Sequence, residues 1–494
     1  MNEQNAYNLI DEPWIPVLMQ DGRNKMVSLG EVFADEDGQI ADLALNPYER
    51  VAVFRLLLCI AQAALGPERL KDEAAWLASR SAIGPVVTDY LKKWHDRFYL
   101  YGPHAFLQPD DVTTVKIDGT TSCDKLIFKL ASGNNSTLFD HAAVSTSRKH
   151  THSQLVIGLL TYQNFSAAGL SGKCLWSGSE TDKSVKAAPC REQSMLFTIL
   201  NGATVIESIW LNLLTRCMVE RVLSAEWGCP AWELPNLSRS ALCNFEMTFL
   251  GHLVPLSRTI KLFGDNASCV LGGGVVYPQL PTWREPMATV KPKADNTLAY
   301  VSADPSRMPW RELASILCIR GADGKRSALA LRHVESLQEE HVFSIWAGGL
   351  CWEPGQAKQI DTVEWAASLS IAMLEETALH RYENAIGLAE RQRGALRSAT
   401  KLYASGMKIE DASRFYIPAE HIYWDILANP SNQKLVQSVD SPTYLDDWKK
   451  KATRKAAKEA YRRACPAVTA RQMEAYVQGF SKLHVKEDSN ERNN

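Results

Sequence analysis

The chain has 494 residues, too many for one ordinary hydrophobic core, so two or three domains are expected. Hydrophobic residues make up 46% and charged residues 22%, a globular composition, and a formal net charge of −2 excludes a protein that coats DNA unaided. Any nucleic-acid contact must be local or shared with partners. No apolar run reads as long enough for a membrane span, and Met1-Asn-Glu-Gln-Asn-Ala lacks the basic-then-apolar order of a signal peptide. A cytoplasmic protein without a membrane partner is expected. The 11 cysteines follow no framework spacing and read as reduced, mostly buried thiols.

Residues 7–33 alternate apolar and turn residues, as short strands do. Asn46 then caps an apolar helix through Leu65, with Pro47 at its first position and Glu49 three residues after the cap. Further helices are expected across 68–80 and 84–97. From about Ser132 to Ser153 the chain turns polar without a hydrophobic period, which marks a long loop. Its apolar pair, Leu138 and Phe139, either anchors the loop on the protein's own core or docks on a partner or a base. A helix at Gln154–Thr161 leads to Gly169-Leu170-Ser171-Gly172-Lys173, where small residues allow close backbone approach.

A helical segment is expected near 193–224, and strand-like alternation over 245–262 and 275–302, with Gly272-Gly273-Gly274 between them. Trp346-Ala-Gly348-Gly349-Leu-Cys-Trp352-Glu-Pro354-Gly355-Gln356-Ala357-Lys358 packs turn formers between aromatic residues and reads as an exposed loop with Gln356 at its tip. Either Gln356 simply faces water at a domain connection, or it hydrogen-bonds to or pushes into a base stack. The pattern turns helical from Val363, through Tyr403, Ala412–Leu427, Pro442–Ala464 and Ala467–Leu483. The expected class is α+β: a mixed α/β domain over 1–360, a four-helix bundle over 361–485 and a disordered tail over 486–494.

Familiar chemistry is absent or incomplete. Gly172-Lys173 and Gly324-Lys325 both miss the glycine and hydroxyl positions of a phosphate loop, with Ala167 and Cys174 at the first and Ile319 and Arg326 at the second. His141, His150, His152 and Cys123 are ligand types that suit zinc, yet no Cys-x-x-Cys pair supports them, so neither metal nor cofactor is expected. An enzyme is not expected. The strongest charge feature is a helical stripe of Lys451, Lys455, Lys458 and Arg462, opposite Trp448, Ala452 and Ala456. It is either a solvated face or a phosphate-tracking one.

The opening Asn8-Leu9-Ile10-Asp11-Glu12-Pro13-Trp14-Ile15-Pro16-Val17 resembles that of the large subunit of type I-E CRISPR Cascade, the CasA family. The resemblance continues in order through Arg97-Phe98-Tyr99-Leu100 with Phe106-Leu107-Gln108, Asp124-Lys125-Leu126, Gly169 to Gly172, Trp283-Arg284-Glu285-Pro286 and Gly348 to Lys358, over nearly the whole chain. It implies a non-catalytic subunit that joins other Cascade subunits and a guide RNA. Such a subunit reads a protospacer-adjacent motif in double-stranded target DNA, helps to open the duplex into an R-loop and recruits a helicase-nuclease. By resemblance, Gly169, Gly172, Gly355, Gln356 and Lys358 meet the DNA motif, with Gln356 as a wedge, while Leu138, Phe139 and Asp140 dock on the guide RNA or the complex. Gly172→Asp is expected to weaken motif binding with little effect on stability. The family's minor-groove lysine has no clear counterpart, Lys261 being the remaining candidate. Pro255-Leu256-Ser257-Arg258 and Trp283-Arg284-Glu285-Pro286 are expected as structural joins. The alternatives are a nuclease or hydrolase using His141, His150 and His152, and a helical assembly adaptor without DNA contact.

Overall fold

The computed structural model describes residues 7–115, 119–130, 148–320, 326–337, 341–352 and 361–483. The chain divides into two compact units, Met1–Ser368 and Leu369–Asn494, so the boundary falls beyond the expected 360.

The first unit opens with β1 (Ile15–Met19), β2 (Asn24–Val27), α1 (Leu29–Phe33) and β3 (Ile40–Leu43), the strands forming a sheet in the order β2-β1-β3. Then comes α2 (Pro47–Arg69), where the Glu49 carboxylate accepts from the Asn46 backbone N–H at 3.2 Å. The expected capping is present because it needs only residues three apart. Contrary to expectation, α2 is long and apolar enough to cross a membrane by length and composition, but 72% of its most apolar window is buried. It serves as a core helix, packed against α4 (Ile83–Lys93), α5 (His152–Phe165) and α7 (Phe249–Leu253); α3 (Glu73–Ala78) and α6 (Val205–Leu211) are shorter.

The remaining strands of this unit are short except near its end. They are β4 (Val112–Thr114), β5 (Thr121–Ser122), β6 (Gly169–Leu170), β7 (Cys174–Trp176), β8 (Ser179–Glu180), β9 (Ser184–Val185), β10 (Phe197–Asn201), β11 (Arg258–Leu262), β12 (Ser268–Gly273), β13 (Val290–Pro292), β14 (Leu298–Tyr300), β15 (Val342–Cys351) and β16 (Asp361–Ser370). Three-stranded sheets run β10-β15-β16, β11-β12-β5 and β4-β7-β8, with the pairs β13-β14 and β6-β9 beside them.

Several expectations are corrected here. The 193–224 segment holds β10, α6 and a short π-helix at Met218–Leu223 rather than one helix. Residues 245–247 and 249–253 are helical, and Gly272 and Gly273 lie inside β12, not between strands. Trp346, Gly348 and Gly349 lie in the buried part of β15, not in an exposed loop. A Cβ on Gly349 would stand 2.8 Å from the Met195 carbonyl, so close packing explains that glycine. Residues 363–370 are strand, and after a 3-10 turn at Ile371–Leu374 the α-helix begins only at Glu376.

The expected structural joins are buried ties. Arg55 and Glu285 form a 2.7 Å ion pair with side chains 0% and 4% exposed, while the Glu285 N–H donates to the Tyr300 hydroxyl at 2.8 Å.

After the four-residue α8 (Leu313–Ile316) of the first unit, the remaining α-helices belong to the second. They are α9 (Glu376–Gly406), α10 (Ser413–Leu427), α11 (Pro430–Gln437), α12 (Tyr444–Asp447), α13 (Arg454–Ala464) and α14 (Ala470–Phe480). The long α9 packs against α10, α13 and α14, and α10 against α13. Trp448 and Thr453 bound a π-wound turn that joins α12 to α13 in one helical run. The buried Trp448 indole donates to the Ala385 carbonyl of α9 at 2.8 Å, and the Tyr423 hydroxyl to the Ala389 carbonyl at 2.9 Å. The expected tail over 486–494 lies outside the described residues.

Candidate nucleic-acid interface

The glycine-rich stretch forms a hairpin-like lobe in which Gly169 pairs with Val185 and Leu170 with Ser184. Gly169 has φ +132° with open space around it, a conformation that other residues rarely adopt. Leu170 is 82% exposed, which is unusual for a leucine and places an apolar side chain in water. Beyond it the Ser171 N–H donates to the Lys183 carbonyl at 2.8 Å, and Lys173 pairs with Glu180 at 2.7 Å. A Cβ on Gly172 would stand 2.6 Å from the Leu271 carbonyl oxygen of β12. The close approach at Gly172 is therefore internal, which corrects the expectation that Gly172→Asp spares stability.

Arg258 fastens both feet of this lobe. Its guanidinium donates to the carbonyls of Ala167 and Lys186, each at 2.8 Å, while the Gln163 side chain bonds the Arg258 backbone N–H and C=O, each at 2.8 Å. Burial pulls the Arg258 pKa down. Sequence reading placed Arg258 in a structural join; only the fold shows that the join holds the glycine lobe.

Gly355, Gln356 and Lys358 belong to the β15–β16 connection and lie outside the described residues. Its root is anchored. The Trp352 indole donates to the Arg191 carbonyl at 2.9 Å, the Arg191 guanidinium lies 4.9 Å from the ring centre, and the Trp352 N–H donates to Ser194 Oγ at 3.2 Å. Next to Arg191, burial pushes the Glu192 carboxyl up to about 7, against donation from the Leu280 N–H at 3.3 Å. Sequence reading missed Arg191 and Glu192, since nothing in their local pattern announces a partner far along the chain.

Leu138, Phe139, Asp140 and His141 also lie outside the described residues. The neighbouring histidines diverge. His150 is buried and meets Asp124 at 2.7 Å, whereas the His152 ring lies tilted at 47° against Tyr7 with ring centres 4.2 Å apart. Among the described residues no group of three His, Cys, Asp or Glu side chains could hold a metal ion. Lys261 sits on β11 with its side chain 21% exposed, 4.0 Å from Asp110, and burial lowers its pKa. It is not a free extended side chain.

On the basic helix Trp448, Ala452 and Ala456 are buried as expected. Lys451 pairs with Asp447 at 2.9 Å and Arg462 with Glu459 at 2.7 Å. Lys455 and Lys458 have no ion-pair partner among the described residues, so the stripe's available charge is concentrated there.

These features define a two-unit α+β protein whose candidate contacts sit on a glycine lobe, a strand connection and a basic helix. The chain belongs to the CRISPR-associated protein Cse1 family, whose model matches residues 8–466. It is 29% identical to the CRISPR-associated protein CasA/Cse1 of Thermus thermophilus, over 97% of both chains. Its fold is similar to that of Thermus thermophilus CasA (Cse1), with TM-score 0.77 and 25% identity, covering 97% of this chain and 98% of that one. Thermobifida fusca Cse1 shares the fold at TM-score 0.77 and 19% identity, with 97% and 98% covered. So does a chain of a CRISPR RNA-guided surveillance complex, at TM-score 0.74 and 18% identity, with 97% and 99% covered.

Proposed function

We propose that this chain is the non-catalytic large subunit of a guide-RNA-bound Cascade complex of type I-E. It recognises a protospacer-adjacent motif in double-stranded DNA, promotes duplex opening and R-loop formation, and recruits a separate helicase-nuclease. The observation that carries this reading is the Cse1 family match across 8–466, which takes in both units of the chain.

The division of labour is physically economical. Base pairing with the guide supplies most of the sequence specificity, so the protein need read only a short tag, as in other RNA-guided systems. Minor-groove information is degenerate, so several motifs are tolerated. The exposed glycine lobe, centred on Gly169 and Leu170, offers backbone and one apolar side chain to that groove. Gln356 acts as the wedge beneath the first base pairs, Gly355 and Lys358 flank it, and Lys455 and Lys458 track phosphates. Leu138, Phe139 and Asp140 dock on the guide RNA or on neighbouring subunits.

The test is purification of the tagged chain from cells carrying a complete CRISPR system. Short RNA and other CRISPR-associated subunits are expected to copurify, and the complex to bind motif-bearing duplex. Gln356→Ala is expected to impair opening of intact duplex more than binding to a target whose motif-proximal pairs are already mismatched, because unstacking costs a few kcal/mol per step. Copurification of neither RNA nor subunits overturns the assignment; equal losses on both targets overturn the wedge.

A further inference from the structure

We propose that Arg191 is a positioning residue that holds the foot of the glycine lobe and the root of the β15–β16 connection in fixed register, so that duplex opening waits on motif reading. The inference deepens the proposed DNA-reading role and rests on it, while the tie itself is read from the fold.

The nine residues from Lys186 to Ser194 run from one of these places to the other. At the first end, the Arg258 guanidinium donates to the carbonyls of Lys186 and Ala167, the two feet of the lobe. At the second, the Ser194 hydroxyl accepts from the Trp352 N–H at 3.2 Å and donates to the Trp352 carbonyl at 3.3 Å. Between them Ala188, Pro189, Cys190 and Arg191 are all buried, unlike the residues of an ordinary surface loop. The Ala188 N–H donates to the Ser166 carbonyl at 2.9 Å, and the Cys190 thiol meets the Asn164 side-chain oxygen at 3.3 Å. The segment is thus laced to the end of α5 and acts as a strut.

Arg191 joins the two ends through one side chain. It is 3% exposed, and its guanidinium donates to the Phe165 carbonyl at 3.0 Å, two residues before the lobe's first foot at Ala167. The same guanidinium lies 4.9 Å from the centre of the Trp352 ring, whose indole N–H donates to the Arg191 carbonyl at 2.9 Å. A planar guanidinium donates in its plane while its face meets an aromatic ring, which an ammonium cannot do. Trp352 directly follows β15, so a shift at the lobe's foot reaches the start of the connection through one rigid group.

Gln193 and Ser194 stiffen the second end. Both have left-handed backbone, with φ +53° and +50°, a region that non-glycine residues keep only where their surroundings hold them. Here the Tyr300 N–H donates to the Gln193 side-chain oxygen at 3.1 Å, the Ser302 hydroxyl to the Gln193 carbonyl at 2.9 Å, and the Ala303 N–H to the Ser194 carbonyl at 2.7 Å. That end is pinned to β14 and the residues after it, which leaves the register to be set at Arg191.

The test begins on the full chain without DNA. Trp352→Leu removes the ring and the indole N–H from a half-buried site. Hydrogen–deuterium exchange of fragments covering 166–172 and 184–188 is expected to quicken about fivefold, the effect of one net hydrogen bond. Trp352→Phe keeps a ring face for the guanidinium and should give a smaller change. In the assembled complex, opening of intact duplex is followed by the fluorescence of a base analogue beside matched or mismatched motifs. Arg191→Lys and Trp352→Leu should each lower the matched-to-mismatched ratio of opening rates about fivefold. The affinity ratio on targets whose motif-proximal pairs are already mismatched should stay within about twofold, because Arg258 still holds the lobe's feet. A merely structural role would lower both ratios together. Unchanged exchange at the lobe after Trp352→Leu overturns the tie, whatever the complex does with DNA. Faster exchange with an unchanged opening ratio leaves a structural tie and overturns the positioning role. A wild-type complex without motif dependence overturns the DNA reading, and this proposal with it.

Discussion

At the scale of single residues, a buried and a half-buried carboxylate make opposite demands. Glu285 meets Arg55 at 2.7 Å, deep in the first unit, and Arg55 also donates to the Leu253 carbonyl at 3.2 Å. Removing one partner leaves the other charge buried and unpaired. Glu285→Ala is expected to lower stability by about 3–5 kcal/mol in denaturant unfolding, and a loss below about 1 kcal/mol would show that water replaces the carboxylate. Glu192 is the reverse case, because burial raises its pKa from an ordinary 4.5 to about 7. Between those values the unfolded chain gives up a proton that the folded chain keeps, so stability falls as pH rises through this window and levels off above it. Because Glu192 is only partly buried, solvent screening holds the contribution below the about 3 kcal/mol that the full shift would imply. Glu192→Gln should flatten that decline in unfolding measured at several pH values across the window; an unaltered slope would place the titration elsewhere.

At the scale of elements, the glycine lobe and the basic helix each separate a structural residue from a functional one. Gly172→Ala puts a Cβ against the Leu271 carbonyl and is expected to cost about 1–3 kcal/mol, read as a fall in melting temperature. Leu170→Asp changes an 82% exposed side chain, so stability should stay within about 0.5 kcal/mol. Motif-dependent DNA binding by the assembled complex should nevertheless weaken; if binding is unchanged, the lobe does not meet DNA. On the basic helix, Lys455→Gln with Lys458→Gln should reduce the slope of log affinity against log salt by about 0.7 to 0.9 per lost phosphate contact. Adding changes at Lys451 and Arg462 should do less, since Asp447 and Glu459 already hold those charges. Motif preference should survive, because phosphate contacts position and groove contacts specify. An unchanged salt slope would make the stripe a solvated face.

At the scale of the whole molecule, two compact units with separate interiors predict that unfolding is not a single all-or-none step. Of the 14 tryptophans, only Trp424 and Trp448 belong to the second unit. Tryptophan fluorescence therefore reports mainly the first unit, whereas far-ultraviolet circular dichroism also follows α9 to α14 of the second. The two signals are expected to give different midpoints on heating; coincident midpoints would mean that the units unfold together.

The sequence by itself determined what depends on near neighbours and on the order of motifs. The capping at Asn46 and Glu49 and the buried face of Trp448, Ala452 and Ala456 were legible because helical contacts join residues three or four apart. The ordered motifs from Asn8 to the Gly348–Lys358 stretch pointed to the family that the match over 8–466 establishes. Tertiary structure decided the strands. Phe197 to Asn201 pair with Ser344 to Gly348, so nothing local distinguishes Trp346, Gly348 and Gly349 in a buried strand from the same residues in a turn. For the same reason the fold alone explained Gly172, through the Leu271 carbonyl about a hundred residues away in the chain, and sent His150 to Asp124 and His152 to Tyr7. Strand ladders and buried polar ties are made between distant parts of the chain, and their partners become definite only when the chain has closed on itself.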